Sequence, residues 1–197
     1  VQVGNETNNG MAGVGASGDW TDVCKLYKKG SEAVRAVAKD KNKDILVALH
    51  FTDPQTIGKY DEFAGKLAAN QVDYDVFASS YYPNIHGSME NLTGVLSDVA
   101  EKYNKKVMVA ETAWAWTTKD GDGHSSGFNT GNNPDYSVSV QGQANEVRDV
   151  VQAVVNVKNN AGIGVFYWEP AWIPVQYAYD GNGSLNSAIK ESNETKW

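Results

Sequence analysis

Cysteine is nearly absent from this chain. Cys24 is the only one in 197 residues, so no intrachain disulfide can form, and it reads as a small buried apolar residue on a helix. Long apolar runs are also missing: none approaches the roughly 18 residues of a membrane span. No Lys/Arg-led apolar segment resembling a signal peptide stands at the start. Positive charge is scarce. The net charge is -7 and the pI near 4.9, which argues against a nucleic-acid partner, since such proteins usually present a basic face. No Gly-x-Gly-x-x-Gly follows a strand candidate, so the phosphate loop of a dinucleotide-binding sheet is lacking. The chain opens on Val1-Gln2-Val3, which reads as mid-strand, and stops in a polar stretch at Lys196-Trp197. Both ends read as cuts, making residues 1–197 one partial domain.

What is present in excess is aromatic surface. Six Trp and ten Tyr are a heavy load, and large aromatics outside a core often serve binding. Short β-branched runs alternate with amphipathic patterns along the whole length. Strands are expected at Val1–Val3, Ile45–Leu49, Val76–Ser79, Val107–Ala110 and Ile163–Tyr167, nearly continuous in apolar residues as parallel strands buried on both faces should be. Four helices are expected between them. They run through Val23 to Val37, through Tyr60, Phe63, Ala64, Leu67 and Ala68, through Leu92 to Tyr103 with Ser88 as N-cap, and through Val147, Val150, Val151, Val154 and Val155. The alternation predicts an α/β fold with a parallel sheet and helical crossovers. It fits a doubly wound sheet or part of a (β/α)8 TIM barrel. The barrel is favoured because the chemically interesting residues recur just past strand C-termini, where barrel enzymes build their sites. A whole barrel needs about 250 residues, so this chain would supply roughly strands 4 to 8.

Those strand ends read Gly4-Asn5-Glu6, His50-Phe51-Thr52-Asp53, Tyr81-Tyr82-Pro83, Glu111-Thr112-Ala113-Trp114 and Trp168-Glu169-Pro170. Glycosidic cleavage needs two carboxyl groups across the bond, one to protonate the leaving oxygen and one to attack or to activate water. Glu6 and Glu111 each follow a strand directly, so a barrel could bring them to one rim. A single Glu after a strand is more often a surface or capping carboxylate; Asn before Glu at one strand end and Glu followed by Trp at another is a rarer joint occurrence. Glu169 reads as bracing its loop and Trp20 as local packing. The irregular stretch from Thr117 to about Ser139 is long enough to be a binding loop. Within it Asp120, Asp122, His124 and Ser126 offer donors on alternate residues; an EF-hand is excluded because position twelve is Gly131.

Val1-Gln2-Val3-Gly4-Asn5-Glu6 and Val107-Met108-Val109-Ala110-Glu111-Thr112-Ala113-Trp114 resemble the fourth and seventh strands of clan A glycoside hydrolases. The closer similarity is to family 53, the arabinogalactan endo-β-1,4-galactanases. Ala48-Leu49-His50-Phe51, Ser80-Tyr81-Tyr82-Pro83, Ser139-Val140-Gln141-Gly142-Gln143 and Tyr167-Trp168-Glu169-Pro170-Ala171-Trp172 agree with it. The resemblance implies endo-hydrolysis of galactan or arabinogalactan with retention, Glu6 as acid/base and Glu111 as nucleophile. It implies that Asn5 binds the sugar 2-OH and that Tyr81 or Tyr82 holds Glu111. Trp168 would form the floor of the cleaved-sugar subsite. Trp114, Trp116 and Trp172 are candidates for flanking subsites, with core packing as the alternative for each, and His50 for the cleft wall or a structural role. It implies a structural calcium at Asp120, Asp122, His124 and Ser126, the last departing from the family's Asn. It also implies a secreted, extracellular protein, and a missing half of the barrel carrying an Arg near the nucleophile. The alternatives are another clan A endo-glycanase of mannanase or cellulase type, or an inactive sugar-binding fragment.

Overall fold

The computed structural model describes residues 1–118 and 135–168. Strand β1 (Gln2–Val3) leads through a 3-10 turn (Thr7–Asn9) into the short strands β2 (Gly10–Met11) and β3 (Val14–Gly15). Then come α1 (Thr21–Lys41), β4 (Ala48–Phe51), α2 (Lys59–Ala69), β5 (Val76–Ser80), α3 (Met89–Tyr103), β6 (Lys106–Thr112), α4 (Val140–Val155) and β7 (Gly162–Tyr167). The long strands form one sheet in the order β1-β4-β5-β6-β7, every pair parallel. With a helix in each crossover, this is an arc of a (β/α)8 barrel. No described helix is long and apolar enough to cross a membrane.

The two sheet faces have different jobs. Val47, Leu49, Phe51, Phe77, Tyr81, Val107 and Val109 enter one core with Val23 and Tyr27 of α1, Phe63 and Leu67 of α2, Leu92 and Leu96 of α3, and Val150 and Val154 of α4. Each such side chain withdrawn from water contributes about 1.5–3 kcal/mol. Because side chains alternate along a strand, Ala48, His50, Ala78 and Ser80 take the opposite, barrel-inner face. Cys24 is buried in the helix-side core, as the sequence suggests. Trp20 is buried there too, its ring against Phe51 and Phe63.

Three expectations need correction. The second inner strand is Ala48–Phe51, not Ile45–Leu49. Its ladder starts late because Val47 N–H is taken by the Asp75 carboxylate at 2.7 Å, and it runs on through His50, which the apolar pattern alone leaves beyond the strand. On α1, Ala33 and Val37 are exposed, so only the first half of that helix buries its stripe. On α4, Val151 and Val155 are exposed, and the buried line instead runs through Glu146, Val150, Ala153 and Val154. Ser88 does cap α3, accepting from Asn91 N–H at 3.2 Å, and Ser139 caps α4 in the same way.

A β2–β3 hairpin after β1 has no counterpart among the strands expected from sequence. Gly10 permits it: φ is +118°, and a Cβ there would collide with the Val14 carbonyl oxygen. A second irregularity matters more. The β5–β6 register runs Ser79↔Val109 and then Ser80↔Glu111, skipping Ala110. Bulges of this kind re-aim side chains. Val107 and Val109 lie on the helix side, and strict alternation would send Glu111 there as well. The bulge turns Glu111 inward and puts Thr112 on the helix side, where its hydroxyl donates to Glu146 of α4 at 2.7 Å.

Candidate active site

Glu6 opens the 3-10 turn with a left-handed backbone, φ +45°. That conformation is costly for a residue with a side chain, and the next two residues hold it in place. Thr7 is buried and donates to His50 O at 3.1 Å, and Asn8 donates to Thr52 O at 2.8 Å. The turn is thereby clamped onto the C-terminal end of β4, and the partly exposed Glu6 carboxylate reaches the end of β5. There Ser80 Oγ donates to Glu6 Oε1 at 2.6 Å.

Glu111 arrives from β6 through the bulge and is 7% exposed. Tyr82 OH donates to its Oε2 at 2.9 Å, and His50 Nδ1 stands 4.0 Å from its Oε1. The ligand atoms of Glu6, His50 and Glu111 all lie within 4.8 Å of one another. Three strand ends thus deliver two carboxylates and an imidazole to one point.

His50 is fully buried. Its pKa is lowered, first by burial and against the opposing charge of Glu6, so the neutral imidazole is favoured. Nε2 lies 2.9 Å from Ser80 Oγ. Nδ1 lies 3.1 Å from Gln2 Nε2 and 3.1 Å from Asn5 Oδ1. A second buried histidine, His86, accepts from Tyr82 N–H at 3.0 Å and so fixes the turn that carries Tyr82. Burial pushes its pKa down as well.

The structure separates the paired tyrosines. Tyr82 makes the bond to Glu111. Tyr81 is buried on the helix side with its hydroxyl donating to Gly87 O at 2.7 Å, so it leaves the set of contacts to the nucleophile candidate. Trp114 is a correction of the same kind. It is 1% exposed, its ring N–H donates to Ser137 O at 3.0 Å, and its ring meets Tyr136 edge-on. It staples the segment after β6 to the approach of α4 and offers no face to a sugar. Trp116 and Trp168 remain open, 58% and 46% exposed. Asp120, Asp122, His124, Ser126, Glu169 and Trp172 lie outside the described residues. Among those described, Glu6, His50 and Glu111 are the one His/Cys/Asp/Glu cluster close enough to share a cation.

Ser80 and Gln2 stand inside the motifs quoted above but are given no role there, and Glu146 stands outside them. Ser80 is still detectable by counting: alternation from Phe77 places it with Tyr82 on the inner face. Glu146 sits on the buried line of α4, and an acid on an apolar stripe is itself a signal. One of its oxygens takes the Thr112 hydroxyl; the other is buried without a partner among the described residues. Desolvation by burial pushes its pKa up to about 7.

Comparison with known proteins gives the chain a family. The sequence pattern of glycosyl hydrolase family 53 matches residues 1–196. The chain is 57% identical over 176 residues to the Bacillus subtilis endo-beta-1,4-galactanase, covering 89% of this chain and 39% of that protein. It is 34% identical to the Cellvibrio japonicus arabinogalactan endo-beta-1,4-galactanase, covering 88% of this chain and 46% of that protein. Among solved structures, the Ignisphaera aggregans GH53 catalytic domain superposes with a TM-score of 0.76 at 32% identity, over 96% of this chain and 56% of that one. The chain therefore spans roughly half of these relatives' lengths. Matched from end to end by the family pattern and folded as its solved representative is, the chain belongs to glycosyl hydrolase family 53.

Proposed function

We propose that the protein carrying this chain is an endo-acting retaining glycoside hydrolase that cleaves β-1,4-galactosidic bonds in galactan or arabinogalactan. The carrying observation is the separation of the two carboxylates. Oxygens of Glu6 and Glu111 approach within 4.8 Å, close to the roughly 5–5.5 Å of retaining pairs and short of the roughly 6.5–9.5 Å that leaves room for an inverting water. Membership of a family whose relatives are named galactanases supports the substrate class.

In this reading Glu111 attacks the anomeric carbon while Glu6 gives its proton to the departing glycosidic oxygen. The C–O bond breaks and a galactosyl ester forms on Glu111. Water then attacks the same carbon, Glu6 takes the water's proton, and Glu111 leaves as a carboxylate. Tyr82 holds one nucleophile oxygen in line. Asn5 binds the 2-OH, Trp168 stacks under the sugar, and Trp116 and Trp172 extend the cleft. The oxygen-rich set Asp120, Asp122, His124 and Ser126 suits a hard cation such as calcium, which would fix the loop after β6. Secretion follows from a polysaccharide substrate too large to enter a cell. The remaining barrel strands, supplied by the rest of the protein, would cover the open ends at β1 and β7, where Val1 and Phe166 are 63% and 65% exposed.

The test is turnover of galactan by the full-length protein. Glu111→Ala should abolish it, and near-normal activity in that variant removes the nucleophile assignment. Preference for mannan or cellulose over galactan would sink the substrate assignment and favour another clan A endo-glycanase.

A further inference from the structure

Behind Glu6 runs a chain of hydrogen bonds whose direction decides where the acid proton can sit. An ionised carboxylate only accepts, and a serine hydroxyl has one proton to give. Ser80 Oγ, 2.6 Å from Glu6 Oε1, gives its proton there and must accept from its other neighbour, His50 Nε2, at 2.9 Å. His50 is buried and favoured neutral, so a proton on Nε2 leaves Nδ1 with a lone pair. The group that meets this lone pair is the Gln2 amide, with Nε2 at 3.1 Å. The same amide reaches Gly4 O at 2.9 Å and Asn5 Oδ1 at 3.2 Å; with two protons for three acceptors, it gives them to Gly4 O and to His50 Nδ1, the two shorter contacts.

The opposite polarity is the competitor. With Nδ1 protonated and turned on Asn5 Oδ1, Nε2 would accept from Ser80, and Ser80 Oγ would accept a proton from Glu6 Oε1. The acid proton would then point into the wall of the barrel. Gln2, a donor through Nε2, opposes that arrangement.

We propose that Gln2, His50 and Ser80 are positioning residues that fix the acid proton on Glu6 Oε2, the oxygen Ser80 does not hold. The inference rests on Glu6 being the general acid, as proposed above. Gln2 sets the histidine tautomer, the tautomer sets the serine, and the serine leaves one carboxyl oxygen to carry the proton that reaches the glycosidic oxygen.

The experiment compares kcat/KM of the full-length protein on galactan and on a dinitrophenyl galacto-oligosaccharide, whose leaving group needs no acid. Ser80→Ala should lower the galactan value about tenfold to hundredfold and leave the dinitrophenyl value within about threefold. Ser80→Thr, which keeps the hydroxyl, should restore the galactan value. Gln2→Glu is nearly isosteric but accepts from Nδ1–H, so it should reverse the chain and reproduce the Ser80→Ala pattern. Gln2→Met removes the donor without adding an acceptor and should fall between Gln2→Glu and the unmodified protein. Equal losses on both substrates in Ser80→Ala and Gln2→Glu, or none on either, overturn the proposal. Glu6→Ala is the reference. If it shows the substrate split and the Ser80 and Gln2 variants do not, only the chain of positioning fails; if it shows no split, the acid assignment fails first.

Discussion

Replacing Glu146 by Gln isolates the cost of keeping a carboxyl group behind the strand that carries Glu111. Glu146 is fully buried on α4, receives the Thr112 hydroxyl on one oxygen and, among the described residues, has no partner on the other. Burial pushes its pKa from 4.5 up to about 7, with Asp149 adding to the rise and the Thr112 bond opposing it. The folded state therefore holds this proton more tightly than the unfolded chain does. The stability it contributes is fully present below the unfolded pKa near 4.5, is lost as pH rises through about 7, and changes no further above that. The whole difference is about 3 kcal/mol at 1.36 kcal/mol per unit. Glu146→Gln removes the ionisation while keeping an acceptor for Thr112. Its amide also brings donors to a place without a partner, at a cost of about 1–3 kcal/mol that is the same at every pH. The informative quantity is thus the pH dependence of the difference between the two proteins. Urea unfolding at pH 5, 6, 7 and 8 should show the variant gaining on the unmodified protein by about 2.5 kcal/mol across the range, the rest of the difference lying below pH 5. Parallel stability curves would refute the argument, because a carboxyl that costs nothing to ionise is not the buried group described.

Single contacts yield further expected outcomes. Tyr82→Phe removes a hydrogen bond to a carboxylate, worth about 1.5–3 kcal/mol, and should lower kcat/KM on galactan about tenfold to hundredfold. Tyr81→Phe, one residue away, should cost about 1 kcal/mol of stability through Gly87 and leave turnover within about twofold. Gly10→Ala forces a Cβ against the Val14 carbonyl at positive φ and should destabilise by about 1–3 kcal/mol, read as a lower unfolding midpoint. If the calcium proposal holds, chelation should lower the melting temperature of the full-length protein and added calcium restore it; no change on either treatment rejects the cation.

Where the sequence was informative, the reason was periodicity. Helix stripes and the Ser88 cap are local, and α2 and α3 lie where their 3.6-residue spacing puts them. The convergence of Glu6 and Glu111 was readable because each follows a β-rich run and parallel strands bring their C-termini to one rim. The errors have local physical causes. His50 looked like the start of a loop because a polar residue ended an apolar run, yet the inner face of a barrel is where a buried polar side chain belongs. Trp114 looked like a sugar platform because Trp is amphipathic, but its N–H found a backbone carbonyl and its ring a core. Tyr82 could have been separated from Tyr81 by counting alternation from Phe77. The same counting fails on β6, where the skipped Ala110 is invisible in sequence and sends Glu111 the other way.

That skipped residue makes β6 a strand with a built-in gear change. Upstream of it, odd-numbered positions belong to the core; downstream, even-numbered ones do. Glu111 and Thr112 are consecutive, yet one addresses the cleft and the other anchors α4. An insertion or deletion of one residue between Val107 and Ala110 would therefore do more than slide the nucleophile candidate along its strand. It would swap the two duties, burying the carboxylate among helices and offering a hydroxyl to the substrate. Single-residue length changes in this short stretch should abolish turnover and folding together, whereas like changes after Thr112 should spare the fold.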